Sequence, residues 1–415
     1  MIEHGFTRTS VITRLRRGPL GTHLDALATT LSQHGYAPDS IRRTLRAGDQ
    51  FGRWLSQYGY AIADVDEALV ERYLTTLPRP PVGHWPKAAA GLPHLLRLWR
   101  QQDLLPPHIS TPSQTEATQW LVRYAQYLEH VCGTAPSTRI AYLRIATRLL
   151  AALFGTGRVQ WSAVSAQALT DFVRQEATTK HGGGRKLPSI AVRSLLRFLV
   201  FRGELSPGLE AVVPTPRQWT HATLPPRLTI TEVERVLATC TGGSPKALRN
   251  QAILLLLARL GCRAHEVAAL CLEDINWYES RVCIRSSKTH RERVLPLLHD
   301  VGCAVAAYLQ HGRPPTTSRH LFLYCRAPFR PLTDATAISR IATRALVRAG
   351  ITSHPRLGAH TFRHTAASQM VNQGASFKDV ADVLGHRSLQ TTGIYAKLDI
   401  EALAAVALPW IGDTL

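Results

Sequence analysis

At 415 residues the chain is too long for one typical domain and predicts two to four, each burying a core of its own. Hydrophobic residues make up 45% and charged residues 19%, which excludes a largely disordered chain. Lys and Arg total 49 against 29 Asp and Glu, a formal charge of +20 that favours a polyanionic partner, nucleic acid first.

In chain order, Met1-Ile2-Glu3-His4 does not open a secretory signal. Leu24, Leu27 and Leu31, then Ile41, Leu45, Phe51 and Leu55, recur at helical spacing. Pro38 marks a helix start, and Arg42, Arg43, Arg46 and Arg53 follow it as a basic helix. A Pro-rich break runs from Leu105 to Pro112. The rhythm then repeats: Gly35-x-Ala37-Pro38 returns as Gly133-x-Ala135-Pro136, Leu45-Arg46 as Leu143-Arg144, and Leu95-Leu96-Arg97 as Leu195-Leu196-Arg197. An ordered series of matches, 98 residues apart at Gly35 and Gly133 and 100 apart at Leu95 and Leu195, argues for a duplicated helical bundle. Arg139, Arg144 and Arg148 form the basic helix of the second copy. With the net charge, these arginines and Arg42, Arg43 and Arg46 are expected to contact DNA phosphates.

A second Pro-rich break, Val213 to Pro226, leads into a different texture. Thr229 to Val233 reads as a capped helix start, and Asn250 to Leu260 as an apolar helix ending at Gly261. Its aliphatic block is too short to span a bilayer, so no membrane association is expected. Arg281 to Arg285 and Arg293 to Leu297 alternate as two strands around a polar turn that holds Lys288. The remainder reads as helices. The seven Cys include no C-x-x-C pair and no zinc spacing, so a reducing, cytoplasmic and nucleoid-associated location and no metal are expected.

Moving a DNA phosphoryl group without a metal needs fixed cations on the phosphate oxygens, a general acid, a base and a covalent nucleophile. The last part of the chain supplies each in order: Arg263 with Glu266 one turn on, Lys288, His360-x-x-Arg363-His364, Leu384-Gly385-His386, and Tyr395. This ordered set resembles the catalytic domain of the tyrosine recombinases, the phage integrase family, over about residues 228 to 400. The resemblance is specific as a set, while each motif alone is common. It implies a mainly helical fold with a small antiparallel sheet. SAM-like helical modules at 1–108 and 115–217, the second in the core-binding position, would precede a catalytic domain at 225–415.

By the same resemblance Tyr395 would attack a DNA phosphate and hold its 3′ side covalently, with Arg263 and Arg363 clamping the oxygens. Lys288 would protonate the leaving 5′ oxygen, His360 would act on the tyrosine proton, and His386 would hydrogen-bond the phosphate. Glu266 and His364 would support these groups. No cofactor is implied. The implied partners are double-stranded DNA and a tetramer of this chain on it, or an assembly with related recombinases. The departures are mild: Cys262 stands where the family often has Leu, and the hairpin lacks the frequent Gly-Lys-Gly form. The alternatives are a non-catalytic or sister-dependent DNA-binding accessory protein on the same fold, and a type IB topoisomerase. Integration, excision, transposition and the resolution of multimers share this chemistry, so the sequence leaves them open.

Overall fold

The computed structural model describes residues 1–77, 91–106, 115–179, 182–216, 226–285, 292–352 and 357–386. By backbone contacts, 115–216 form one compact unit, and 1–106 and 226–386 fall together in another. Within the second of these, 1–106 and 226–386 each surround a core of their own.

The first helical segment contains α1 (Thr9–Arg17), α2 (Gly21–Gln33), α3 (Pro38–Gln57), α4 (Glu67–Thr76) and α5 (Leu92–Gln101). Leu24, Leu45, Phe51, Tyr73, Leu95 and Trp99 are almost fully buried at its centre. The next segment contains α6 (Glu116–Gln126), α7 (Pro136–Phe154), α8 (Ala166–Thr178), α9 (Leu187–Phe201) and the single turn α10 (Leu209–Val212). It encloses Tyr124, Leu149, Leu169, Leu195 and Leu199.

The two segments share one element order, and the same local chemistry sets it. Both α3 and α7 begin with Pro in the first turn, where the missing N–H costs nothing. A short 3-10 turn, Ile62–Asp64 or Trp161–Ala163, then precedes a capped helix. The side chain of Asp66 accepts from the Leu69 amide to cap α4, and that of Ser165 accepts from the Ala168 amide to cap α8. Leu95 and Leu195 take matching buried places on α5 and α9. The first segment adds α1 and a 3-10 turn at Ile2–His4.

The C-terminal segment runs α11 (Ile230–Ala238), α12 (Pro245–Arg259), α13 (Ala264–Ala269), β1 (Ile275–Asn276), β2 (Arg281–Arg285), β3 (Glu292–Pro296), α14 (His299–His311), α15 (Ala335–Arg348), α16 (Ala359–Asn372) and α17 (Phe377–Leu384). The molecule is thus mainly helical with one three-stranded antiparallel sheet, in the order β1-β2-β3. The Thr229–Glu232 capping box opens α11 as the sequence predicts, and strand β1 is an element the sequence reading lacks. The stretch Ala252 to Ala258 of helix α12 is apolar on all sides because it is surrounded: these residues are all buried. Each such leucine contributes about 2 kcal/mol of burial. Val282 and Leu295 pair across β2 and β3 and face this core. A smaller cluster, Ala367, Val371, Val380 and Leu384, locks α17 against α16. The last residues of α17 are thereby held beside the start of α13.

Candidate active site

Two chain turns meet at this point, and both need glycine. Gly261 ends the α12 connection at φ +59°, and a Cβ there would lie 2.7 Å from the Leu384 side chain. Gly385 ends α17 in the left-handed conformation at φ +63°, and a Cβ there would lie 2.8 Å from the Arg293 guanidinium. Both glycines let backbone carbonyls approach arginines closely.

Arg363 projects from α16 and is 4% exposed. One terminal nitrogen donates to the Gly261 carbonyl at 2.8 Å and the other to the Leu384 carbonyl at 2.7 Å. Arg263 stands at the cap of α13 and crosses the opposite way. Its guanidinium donates to Glu266 at 2.8 Å and to the Gly385 carbonyl at 2.9 Å. Each arginine is therefore tied to the end of α17 and to a second element. Such bracing removes rotamer freedom before any ligand arrives.

Glu266 is 1% exposed and joins the site to the sheet. Its carboxylate accepts both terminal nitrogens of Arg293 at 2.8 Å each, besides the Arg263 guanidinium and backbone amide. Burial alone would raise its pKa. The Arg293 hydrogen bonds and charge, then the Arg263 amide and charge, outweigh burial and hold the carboxyl at about 2. One buried carboxylate between two guanidinium groups leaves a net positive site.

Arg293 is the residue that sequence reasoning missed. The signal was available: strand alternation places it on the face of Leu295, while Val294 between them is exposed. A charged residue on the inward face of a strand requires a buried partner, and Glu266 is that partner.

The histidines line the same place. His360, on the open side of α16, shares a face with His364, their ring centres 6.3 Å apart. Loss of solvent, then the charges of Arg363 and Arg263, lower the pKa of His360. His364 is pushed down to about 4 by burial, then by His360 and Arg363. His386, just after Gly385, is pushed down to about 4 by burial and then by Arg363, Arg263 and Arg293. Cys262 is fully buried beside them, and burial pushes its thiol up to about 12. The structure thus brings together Arg263, Glu266, His360, Arg363, His364 and His386. Lys288 and Tyr395, and the expected helix after Tyr395, lie outside the described residues. Among the described residues no group of His, Cys, Asp and Glu converges as metal ligands, and all seven cysteines are unpaired.

The arginines expected to meet DNA have more varied surroundings. In α3, Arg42 donates to the Gly5 carbonyl at 2.9 Å and pairs with Asp39 at 3.0 Å. Arg43 leans on the Asp39 carbonyl, and Arg46 lies over the Phe6 ring at 5.6 Å. In α7, Arg139 pairs with Glu129 at 2.7 Å and Arg148 with Glu176 at 3.1 Å. Arg144 is exposed, and its side chain has no ion pair or hydrogen bond among the described residues. No helix among the described residues is long and apolar enough to cross a membrane.

Comparison with known proteins agrees with this geometry. The family model described as "Phage integrase family" matches residues 226–401. The chain is 34% identical over 404 residues to "Putative integrase/recombinase y4rA" of Sinorhizobium fredii, covering 97% of each protein. It is 28% identical over 300 residues to the tyrosine recombinase XerC of Mannheimia succiniciproducens, covering 69% of this chain and 95% of that protein. In fold it is similar to a lambda integrase dimer bound to a core site, with TM-score 0.52 and 18% identity, covering 67% of this chain and 94% of that one.

Proposed function

The chain belongs to the phage integrase family of tyrosine recombinases, and from that premise we propose that it cuts and rejoins duplex DNA through a covalent 3′-phosphotyrosine at Tyr395. The observation that carries the reading is the pair of cross-braced guanidinium groups, Arg263 and Arg363, beside His360 and His386, whose protonation burial and these charges disfavour.

In the reaction the Tyr395 oxygen forms a bond to phosphorus as the bond to the 5′ oxygen breaks. Arg263 and Arg363 hold the non-bridging oxygens, where negative charge builds in the transition state. His360, kept neutral, accepts the tyrosine proton, and His386 hydrogen-bonds the phosphate. Lys288 delivers a proton to the leaving 5′ oxygen. A 5′ hydroxyl from a partner strand then attacks the phosphotyrosine, which returns the tyrosine and seals the new strand. Bond energy is carried through the ester, so no nucleotide is consumed. Glu266, with Arg293 behind it, sets the angle of Arg263, and His364 supports the same face.

The domains in this reading are two helical DNA-binding modules, 1–108 and 115–217, and a catalytic domain, 225–415. Exchange between two duplexes requires four active sites, so a tetramer assembles on DNA, from this chain alone or with related recombinases. A lambda integrase tetramer bound to a Holliday junction has the same fold, with TM-score 0.52 and 16% identity. A role in a mobile element and a nucleoid-associated location belong to the same proposal, beside the shared chemistry rather than derived from it.

The test is a nicked suicide duplex carrying the DNA that flanks the coding region, run on a denaturing gel. Wild type is expected to give a protein–DNA adduct that Tyr395→Phe abolishes. Binding without any adduct would instead favour an accessory protein, or one that depends on sister recombinases.

A further inference from the structure

The first helical segment holds a polar groove that the catalytic reading leaves unused. Ser10, Thr13, Arg14 and Arg17 lie on one stripe of α1, at steps of three and four residues. Arg53, Ser56 and Gln57 form a facing stripe on the last turns of α3. Between them is an open groove of about 750 Å³. Every one of these side chains can donate a hydrogen bond, and none is a carboxylate.

The charges in the groove are unequally compensated. Arg53 pairs with Asp49 at 3.1 Å. Arg14 and Arg17 are exposed, and among the described residues neither side chain has a hydrogen bond or an ion pair. Arg16, between them in sequence, differs: it pairs with Glu3 at 2.6 Å and Asp25 at 2.9 Å. The arginines earlier on α3 are also engaged within the protein, Arg42 by Gly5 and Asp39 and Arg46 by Phe6. The N-terminal extension thus ties up part of the basic face of α3 and offers two uncompensated guanidinium groups of its own.

We propose that this groove between α1 and the end of α3 is a binding site for the phosphate backbone of duplex DNA, with Arg14 and Arg17 as its principal contacts. The proposal rests on the DNA-acting reading above and names which surface of the extra module would serve it. Guanidinium groups beside hydroxyls and an amide are the donors that meet phosphate and sugar oxygens without reading sequence. Loosely held surface arginines can also give up solvent and counterions to phosphate at small cost.

The test is a salt titration of full-length protein binding to a long duplex of mixed sequence, for wild type and for the double variant Arg14→Gln, Arg17→Gln. Losing two phosphate contacts is expected to reduce the slope of log K against log salt by about 2 and to weaken low-salt binding by about tenfold or more. The charge-keeping pair Arg14→Lys, Arg17→Lys is expected to restore the slope, and thermal melting is expected to match wild type for both. An unchanged slope in the glutamine variant, while wild type binds and forms its adduct, overturns the groove alone and leaves a solvated face or an acidic protein segment as its use. If wild type neither binds duplex nor forms an adduct, the recombinase reading has failed and the groove fails with it.

Discussion

Three arginines of the C-terminal segment and three of the helical segments are held in opposite ways. Arg263, Arg293 and Arg363 sit largely buried among a carboxylate and backbone carbonyls, and each spans two elements of the fold. The side chains of Arg14, Arg17 and Arg144 stand at the surface with no ion pair or hydrogen bond among the described residues. Under the proposed function the contrast separates two uses of one residue type. A transition state is stabilised by charges already in place, because movement during the reaction costs energy. Tracking a backbone needs charges that exchange water for phosphate readily.

The strongest attempt to break this contrast is Arg363→Ala. It removes both carbonyl braces and the proposed phosphate contact, and the single-turnover cleavage rate is expected to fall by about 10³-fold with DNA binding retained. Glu266→Gln comes next. It leaves Arg263 and Arg293 facing each other without a counter-charge, a loss of about 3 kcal/mol. Calorimetry is expected to show the melting transition that includes the C-terminal segment lowered by roughly 10 °C.

A smaller effect follows from the histidines. His364 and His386 have folded pKa values near 4, below the ordinary value of about 6.5. The unfolded chain therefore takes up their protons first. Stability from these groups is complete above pH about 6.5 and is lost as pH falls towards about 4. Replacement of His364 by Gln is expected to flatten that part of the profile of melting temperature against pH. The mildest case is Arg144→Gln, which is expected to reduce the salt slope of DNA binding by about 1 and to leave melting unchanged.

Much of the site was legible in the sequence because its residues occur in tight motifs. H-x-x-R at 360–363 fixes a shared helix face, and the Gly261 and Gly385 motifs mark chain turns where carbonyls can meet guanidinium groups. The helical repeat was legible too, since Pro38 and Pro136 start their helices wherever those helices pack. What stayed hidden depends on contacts between residues far apart in the chain. Nothing local reports that Glu266 serves Arg293 as well as Arg263, 27 residues away from the strand arginine. Nor does spacing reveal that Glu176 engages Arg148, or that Phe6 lies under Arg46. A basic helix face reads the same in sequence whether its charges are spoken for or open. Strand β1 was missed for a related reason: two residues are too few for any periodicity to register.

Arg293 tests the account most directly, because it braces Arg263 through Glu266 and, in this account, does not itself contact DNA. The measurement is the single-turnover cleavage rate of Arg293→Gln at saturating protein, taken with the salt slope of its DNA binding. The account predicts a rate lower by about 10²-fold, from misplacement of Arg263, with the slope unchanged. A slope reduced by about 1, with the wild-type rate recovered at saturation, would contradict it and make Arg293 one more phosphate contact.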